Sequence, residues 1–119
     1  MRVMVIGASN DHAKYGNKAV RAFLRQKHEV FPVNPTETKV EGIPCYRTIA
    51  EVPGPIDRAT FYVPPHVGAT LMAEIAVRGD VGEVWLNPGS ESEAVLDAAR
   101  AVGIEPILAC SIIAIGERP

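Results

Sequence analysis

The stretch Val3-Met4-Val5-Ile6-Gly7-Ala8-Ser9-Asn10, followed after a polar loop by Gly16, governs how the rest of the chain is read. Four apolar residues in succession, three of them β-branched, describe a strand buried on both faces, as at the centre of a parallel sheet. The strand breaks into Gly7-Ala8-Ser9, small residues over which a ligand's phosphates can approach the backbone. A helix opening at Gly16 would aim its unpaired amides and positive dipole end at the same place. The expectation is a nucleotide-like ligand lying over residues 7–16.

A length of 119 residues suits one domain, 1–119, with a single core. The composition is 47% hydrophobic and 22% charged with a formal charge of −2, so no basic excess exists to neutralise a nucleic-acid backbone. No apolar run approaches the ~20 residues that cross a bilayer. The chain opens on a core strand, unlike a secretory leader. Cys45 and Cys110 lie far apart with no metal-ligand spacing, so no metal site or disulfide is expected and a reducing cytoplasm is the expected location.

Outward from the first strand, Ala19, Val20, Phe23 and Leu24 form one stripe of a helix over 16–27. A second strand over 29–33 ends at Asn34-Pro35, and 36–46 is an irregular excursion with a turn at Gly42. Thr48 and Glu51 read as a capping box for a short helix that Pro53 stops. A third strand over 58–63 runs into Pro64-Pro65, which open a helix to Gly79 with Val67, Leu71, Met72 and Ile75 inward. A fourth strand over 83–86 ends at Asn87-Pro88-Gly89, and Ser90 with Glu93 reads as the capping box of a helix running to Gly103. A fifth strand over 104–108 ends at Cys110, and 112–115 is one apolar turn folded back on the sheet. Strands alternating with helices imply right-handed crossovers and an α/β, Rossmann-like, doubly wound parallel sheet of about five strands, with helices on both faces. Ligands of such sheets bind beyond the carboxyl ends of the strands, where strand order reverses.

The dinucleotide fingerprint G-x-G-x-x-G, with an acidic residue ending the second strand, is not matched. Gly7-Ala8-Ser9 lacks the second glycine, and Val33-Asn34-Pro35 stands where the ribose-binding carboxylate belongs. No phosphate-binding G-x-x-x-x-G-K-[ST] loop occurs.

Gly7-Ala8-Ser9, Val33-Asn34-Pro35, Tyr62-Val63-Pro64-Pro65 and the late Cys110, in that order at successive strand exits, resemble the stand-alone CoA-binding domain family. The chain is similar, from Val3 to about Gly116, to the N-terminal part of the succinate–CoA ligase alpha subunit. The resemblance implies a small CoA-binding protein with coenzyme A, or an acyl-CoA, as its ligand. It implies the pyrophosphate at Gly7, Ala8 and Ser9, with Asn10, Tyr15 and Gly16 in the same loop and Lys14 offsetting charge. Val33, Asn34 and Pro35 would line the adenosine side, and Val63, Pro64 and Pro65 the opposite wall. Cys110 would lie toward the reactive end, Asn87 and Gly89 are candidates at the fourth strand exit, where the ligase has a glutamate-glycine pair instead, and Lys39 stands near the position of a phosphate-contacting lysine of the ligase.

The phosphohistidine of the ligase sits in a second domain, and none of His12, His28 or His66 matches it. The resemblance therefore supports binding and gives no support for ligation; no catalytic residue is assigned. His28 reads as a cation at a helix's carboxyl end and Trp85 as core. The alternative reading is an NAD(P)-dependent oxidoreductase or NAD(P)-sensing domain with an atypical phosphate loop. Association with a second copy, or docking on an acyl-CoA enzyme, is left open by the apolar turn at 112–115.

Overall fold

Val3, Met4, Val5 and Ile6 all lie in β1 (Arg2–Ile6) and are buried. The computed structural model describes residues 1–119. Because successive strand residues face opposite ways, Val3 and Val5 pack with Val20 and Phe23 of α1 (Tyr15–Arg25). Met4 and Ile6 join a second core on the other face of the sheet. This two-sided burial explains why the stretch reads as one unbroken apolar run.

The chain continues through β2 (Glu29–Val33), a hairpin of β3 (Lys39–Val40) and β4 (Ile43–Pro44), then β5 (Ile56–Phe61) and α2 (Pro65–Arg78). It closes with β6 (Val81–Leu86), α3 (Glu93–Ala101), β7 (Ile107–Leu108) and a short α4 (Ser111–Ala114). The main sheet is parallel throughout, in the order β2-β1-β5-β6-β7. It is the Rossmann-like α/β sheet expected. Met72 and Ile75 of α2 and Val95 and Ala99 of α3 cover one face; α1 and Ile112 of α4 cover the other. Strand order reverses between β1 and β5, which places the crevice between the loops that follow Ile6 and Phe61.

Several elements differ from the sequence reading. The excursion at 36–46 contains the β3–β4 hairpin, turned by Glu41 (φ 50°) and Gly42 (φ 78°), both in the left-handed region that suits a two-residue loop. The expected helix after Thr48 is a 3-10 turn, Ile49–Glu51, and the Thr48 side chain makes no capping bond. Ser92, not Ser90, caps α3, accepting from the Val95 amide at 3.3 Å. Ser90 is buried and donates to the Phe61 and Val63 carbonyls instead. The third strand ends at Phe61 rather than 63, and the fifth keeps only Ile107–Leu108. There the Ile104 amide is drawn back to the Ala99 carbonyl at 2.9 Å to close α3. Helix α1 begins one residue early and ends at Arg25, with Lys27 taking a left-handed conformation (φ 62°) at its exit.

Candidate functional site

The site is assembled by turns at the carboxyl ends of β1, β2, β5 and β6. Gly7 leaves β1 with φ 88°, and a Cβ there would stand 2.7 Å from the Tyr62 carbonyl oxygen. Only glycine lets the β1 and β5 exits approach this closely. A Cβ on Gly16 would overlap the Gly7 carbonyl oxygen, so glycine there seats the first turn of α1 against the loop. Lys14 holds the cap position of α1 with extended backbone and no side-chain cap. The amides of Tyr15 and Gly16 have no acceptor within the protein, so the amino end of α1 offers donors and a positive dipole to the crevice. Helix α2 starts at the same edge, but Pro65 removes its first donor.

Three clefts run together along this edge. The central one, about 520 Å³, is lined by Gly7, Lys14, Tyr15, Gly16, Pro64 and Gly89 among others. It shares Gly7 and Val63 with a cleft of about 190 Å³ walled by Val33, Pro35, Arg47 and Leu71. At its other end it shares Tyr15, Tyr62 and Pro88 with a cleft of about 390 Å³ that reaches Asn87, Cys110 and Ile113. A further recess of about 300 Å³ sits at the amino ends of β6 and β7. It opens beside Gly79 and Gly103, where α2 and α3 end and their dipoles repel anions.

The structure therefore brings together Gly7, Lys14, Tyr15, Gly16, Val33, Pro35, Val63, Pro64, Pro65, Asn87, Gly89 and Cys110 of the residues singled out from sequence. Ala8, Ser9, Asn10, Asn34 and Lys39 do not line these clefts; the first four shape them. Ala8 is fully buried. The Ser9 hydroxyl accepts from the Asp11 amide at 3.0 Å. Asn10 donates to Glu37 at 2.9 Å and to the Lys39 carbonyl at 2.8 Å. Asn34 donates to the Ala8 carbonyl at 2.8 Å while its Oδ1 accepts from the amides of Thr36 and Glu37 and from the Thr36 hydroxyl. Asn34 thus ties the β1 exit to the β2 exit. Lys39 is exposed on the β3 strand, and the cation that lines the Val33–Pro35 cleft is Arg47. Arg47 escaped the sequence reading because only the turn after β4 carries it to the sheet edge.

Asn87 is also internal. Its amide donates to Thr60 Oγ1 (2.7 Å) and the Phe61 carbonyl (2.9 Å), while its Oδ1 accepts from the Ser111 amide (2.9 Å). Ser111 in turn bonds Thr60 (2.7 Å) and the Tyr62 hydroxyl (3.0 Å). This buried network locks β5, β6 and α4 together.

Residues 1–116 match the family model described as a CoA binding domain. The chain belongs to the CoA-binding domain family. Two curated relatives carry the names of ligases. Over 88 residues the domain is 34% identical to the ADP-forming acetate–CoA ligase II subunit alpha of Pyrococcus furiosus, covering 73% of this chain and 19% of that protein. Over 93 residues it is 33% identical to the ADP-forming acetate–CoA ligase II of Archaeoglobus fulgidus, covering 76% of this chain and 14% of that one. The chain thus spans less than a fifth of the curated relatives it matches. Among solved structures, a conserved hypothetical protein from Pyrococcus furiosus superposes with a TM-score of 0.86 at 36% identity, covering 95% of this chain and 97% of that one.

Several ionisable groups of this CoA-binding domain are engaged with one another. His12 pairs with Glu41 at 3.0 Å, and Glu41 is held below the usual carboxylate range first by its bond from Asn17. His28 is not the helix-end cation expected: burial first, then the neighbouring amino terminus and Arg58, push its pKa down and favour the neutral ring. Burial pushes the Tyr62 hydroxyl up, so it stays protonated in the cleft wall. Trp85 is buried as expected, with the Arg58 guanidinium 4.3 Å over its ring. Both cysteines are free thiols. No helix is long and apolar enough to cross a membrane.

Proposed function

We propose that residues 1–119 act as one unit that holds coenzyme A, free or as an acyl thioester, along the carboxyl edge of the sheet. The observation that carries this reading is the continuity of the three clefts across the β1/β5 switch point. The smallest cleft, walled by Val33, Pro35 and Leu71, suits the flat apolar adenine, with Arg47 at hand for the ribose phosphate. The free Tyr15 and Gly16 amides and Lys14 suit the pyrophosphate. The pantetheine arm then follows Tyr62 and Pro88, bringing the thiol toward Cys110. Membership of the family and the names of the ligase relatives support the same ligand. The first carboxylate beyond β2, Glu37, is bonded to Asn10 and is not presented to a ribose there, while Glu74 stands with Arg47 in the lining of the smallest cleft.

Thermal melting with coenzyme A, dephospho-coenzyme A, ADP, NAD and NADP tests the reading. A ligand at 100 times its Kd adds about 2.7 kcal/mol, which for a domain this size is a rise of about 10 °C. Coenzyme A is expected to shift the melting temperature most. A shift with NAD and none with coenzyme A overturns the proposal.

A further inference from the structure

We propose that the ligand preferred by this site is an acyl-CoA whose acyl group is apolar and uncharged. The inference rests on the coenzyme A reading and concerns only what lies beyond the thiol. The cleft of about 390 Å³ at that end is lined by Tyr15, Tyr62, Asn87, Pro88, Cys110, Ile113 and Pro119, with no charged side chain in its wall. Two of its members, Tyr15 and Ile113, are large apolar residues left 57% and 62% exposed. Apolar surface standing open on either side of a cleft is surface that a ligand can cover.

The polar atoms of this wall argue the same way. Both ends of the Asn87 amide are consumed by Thr60, the Phe61 carbonyl and Ser111. The Tyr62 hydroxyl is turned to Ser111 at 3.0 Å. A hydroxylated or carboxylated acyl group entering here would lose water and find few partners, whereas each buried methylene gains. Cations flank the cleft without lining it: Lys14 belongs to the adjoining central cleft. Lys18 stacks on the Tyr15 ring at 4.8 Å, and with Arg21, Arg25 and Arg118 it surrounds a separate recess of about 170 Å³. The two hollows have Pro119 as a common wall residue. That arrangement defines the competing outcome, because a terminal carboxylate long enough to pass the cleft would end among these cations.

Isothermal titration of the full chain with coenzyme A, acetyl-, butyryl-, isovaleryl- and succinyl-CoA decides the matter. Affinity is expected to rise from coenzyme A through butyryl- and isovaleryl-CoA by up to about fourfold per buried methylene. Succinyl-CoA should bind at least about tenfold more weakly than butyryl-CoA, its carboxylate being desolvated without a partner. Ile113→Asp should flatten the series, so that the ratio of butyryl-CoA to coenzyme A affinity falls toward one. Because Ile113 is mostly exposed, the variant is expected to fold, and its melting curve without ligand checks that. Equal affinities for coenzyme A and all its thioesters overturn this inference and leave the coenzyme A reading standing. Tightest binding by succinyl-CoA also overturns it, in favour of the Lys18–Arg118 recess. No binding by any member of the series overturns the coenzyme A reading itself.

Discussion

Asn34, Arg47 and His28 show how far single side chains decide this edge. Asn34→Asp keeps the acceptor used by Thr36 and Glu37 but replaces the donor to the Ala8 carbonyl with a carboxylate oxygen. The expected result is a loss of about 1–3 kcal/mol in urea denaturation, together with weaker coenzyme A binding as the two exits separate. Arg47→Ala should weaken coenzyme A by about tenfold or more and leave dephospho-coenzyme A nearly unchanged, since a charge-assisted bond to phosphate is worth about 1.5–3 kcal/mol. Lys39→Ala, at an exposed position off the cleft, serves as the comparison in the same titrations. His28 carries a pH dependence. Its folded pKa is depressed, so on acidification through about pH 6.5 the unfolded chain takes up a proton that the folded chain resists. Stability therefore falls as pH drops through that region, and urea midpoints for His28→Asn should vary less there.

Among the elements, α1 and the β5–β6–α4 junction bear most of the site. Gly16→Ala would press a methyl group onto the Gly7 carbonyl and force the first turn of α1 away from the loop. A destabilisation of about 1–3 kcal/mol is expected, with ligand affinity falling as the Tyr15 and Gly16 amides shift. At the junction, Asn87→Ala strands the buried Ser111 amide and removes a donor from Thr60 and from the Phe61 carbonyl. Its cost should exceed that of an exposed polar deletion by at least about 1–3 kcal/mol, read as a lowered denaturation midpoint. The helices themselves were legible from the chain because their apolar stripes recur at 3.6-residue spacing. The caps were less so. Ser90 satisfies the same S-x-x-E pattern that marks a helix start, yet its hydroxyl serves the Phe61 and Val63 carbonyls and Ser92 does the capping. Local pattern favours the wrong serine, since Ser92 has Val95 and not a glutamate three residues on; the position of β5 decides between them.

At the scale of the molecule, the order β2-β1-β5-β6-β7 puts every segment that the sequence marked as a strand exit on one edge. Parallel strands all end at the same side, so turn residues scattered over more than a hundred positions converge on a single crevice. This is why Gly7, Val33, Val63, Pro88 and Cys110, far apart in the chain, line connected clefts. The same geometry predicts linked behaviour. Saturating coenzyme A should protect the backbone amides of Tyr15 and Gly16 from hydrogen exchange, while those beside Gly79 and Gly103 at the opposite edge exchange as before.

Periodicity and the unbroken apolar run of β1 were enough to point to the sheet and its parallel sense, because those properties follow from local pattern and spacing, while the family was legible only as a resemblance carried by the motifs at the strand exits. Which residues face the ligand was settled only by folding. Asn34, Asn87 and Ser90 look like site residues or caps in the sequence, but each side chain bonds a backbone carbonyl 26 to 29 positions away. Arg47 has no distinguishing local pattern, yet it lines a cleft, and Ile113, read from the chain as part of an apolar turn, lines another beside Tyr62 of the strand-exit motif. A hydrogen bond or a wall between distant segments depends on where the backbone carries them, and that is a property of the assembled sheet rather than of any stretch of chain.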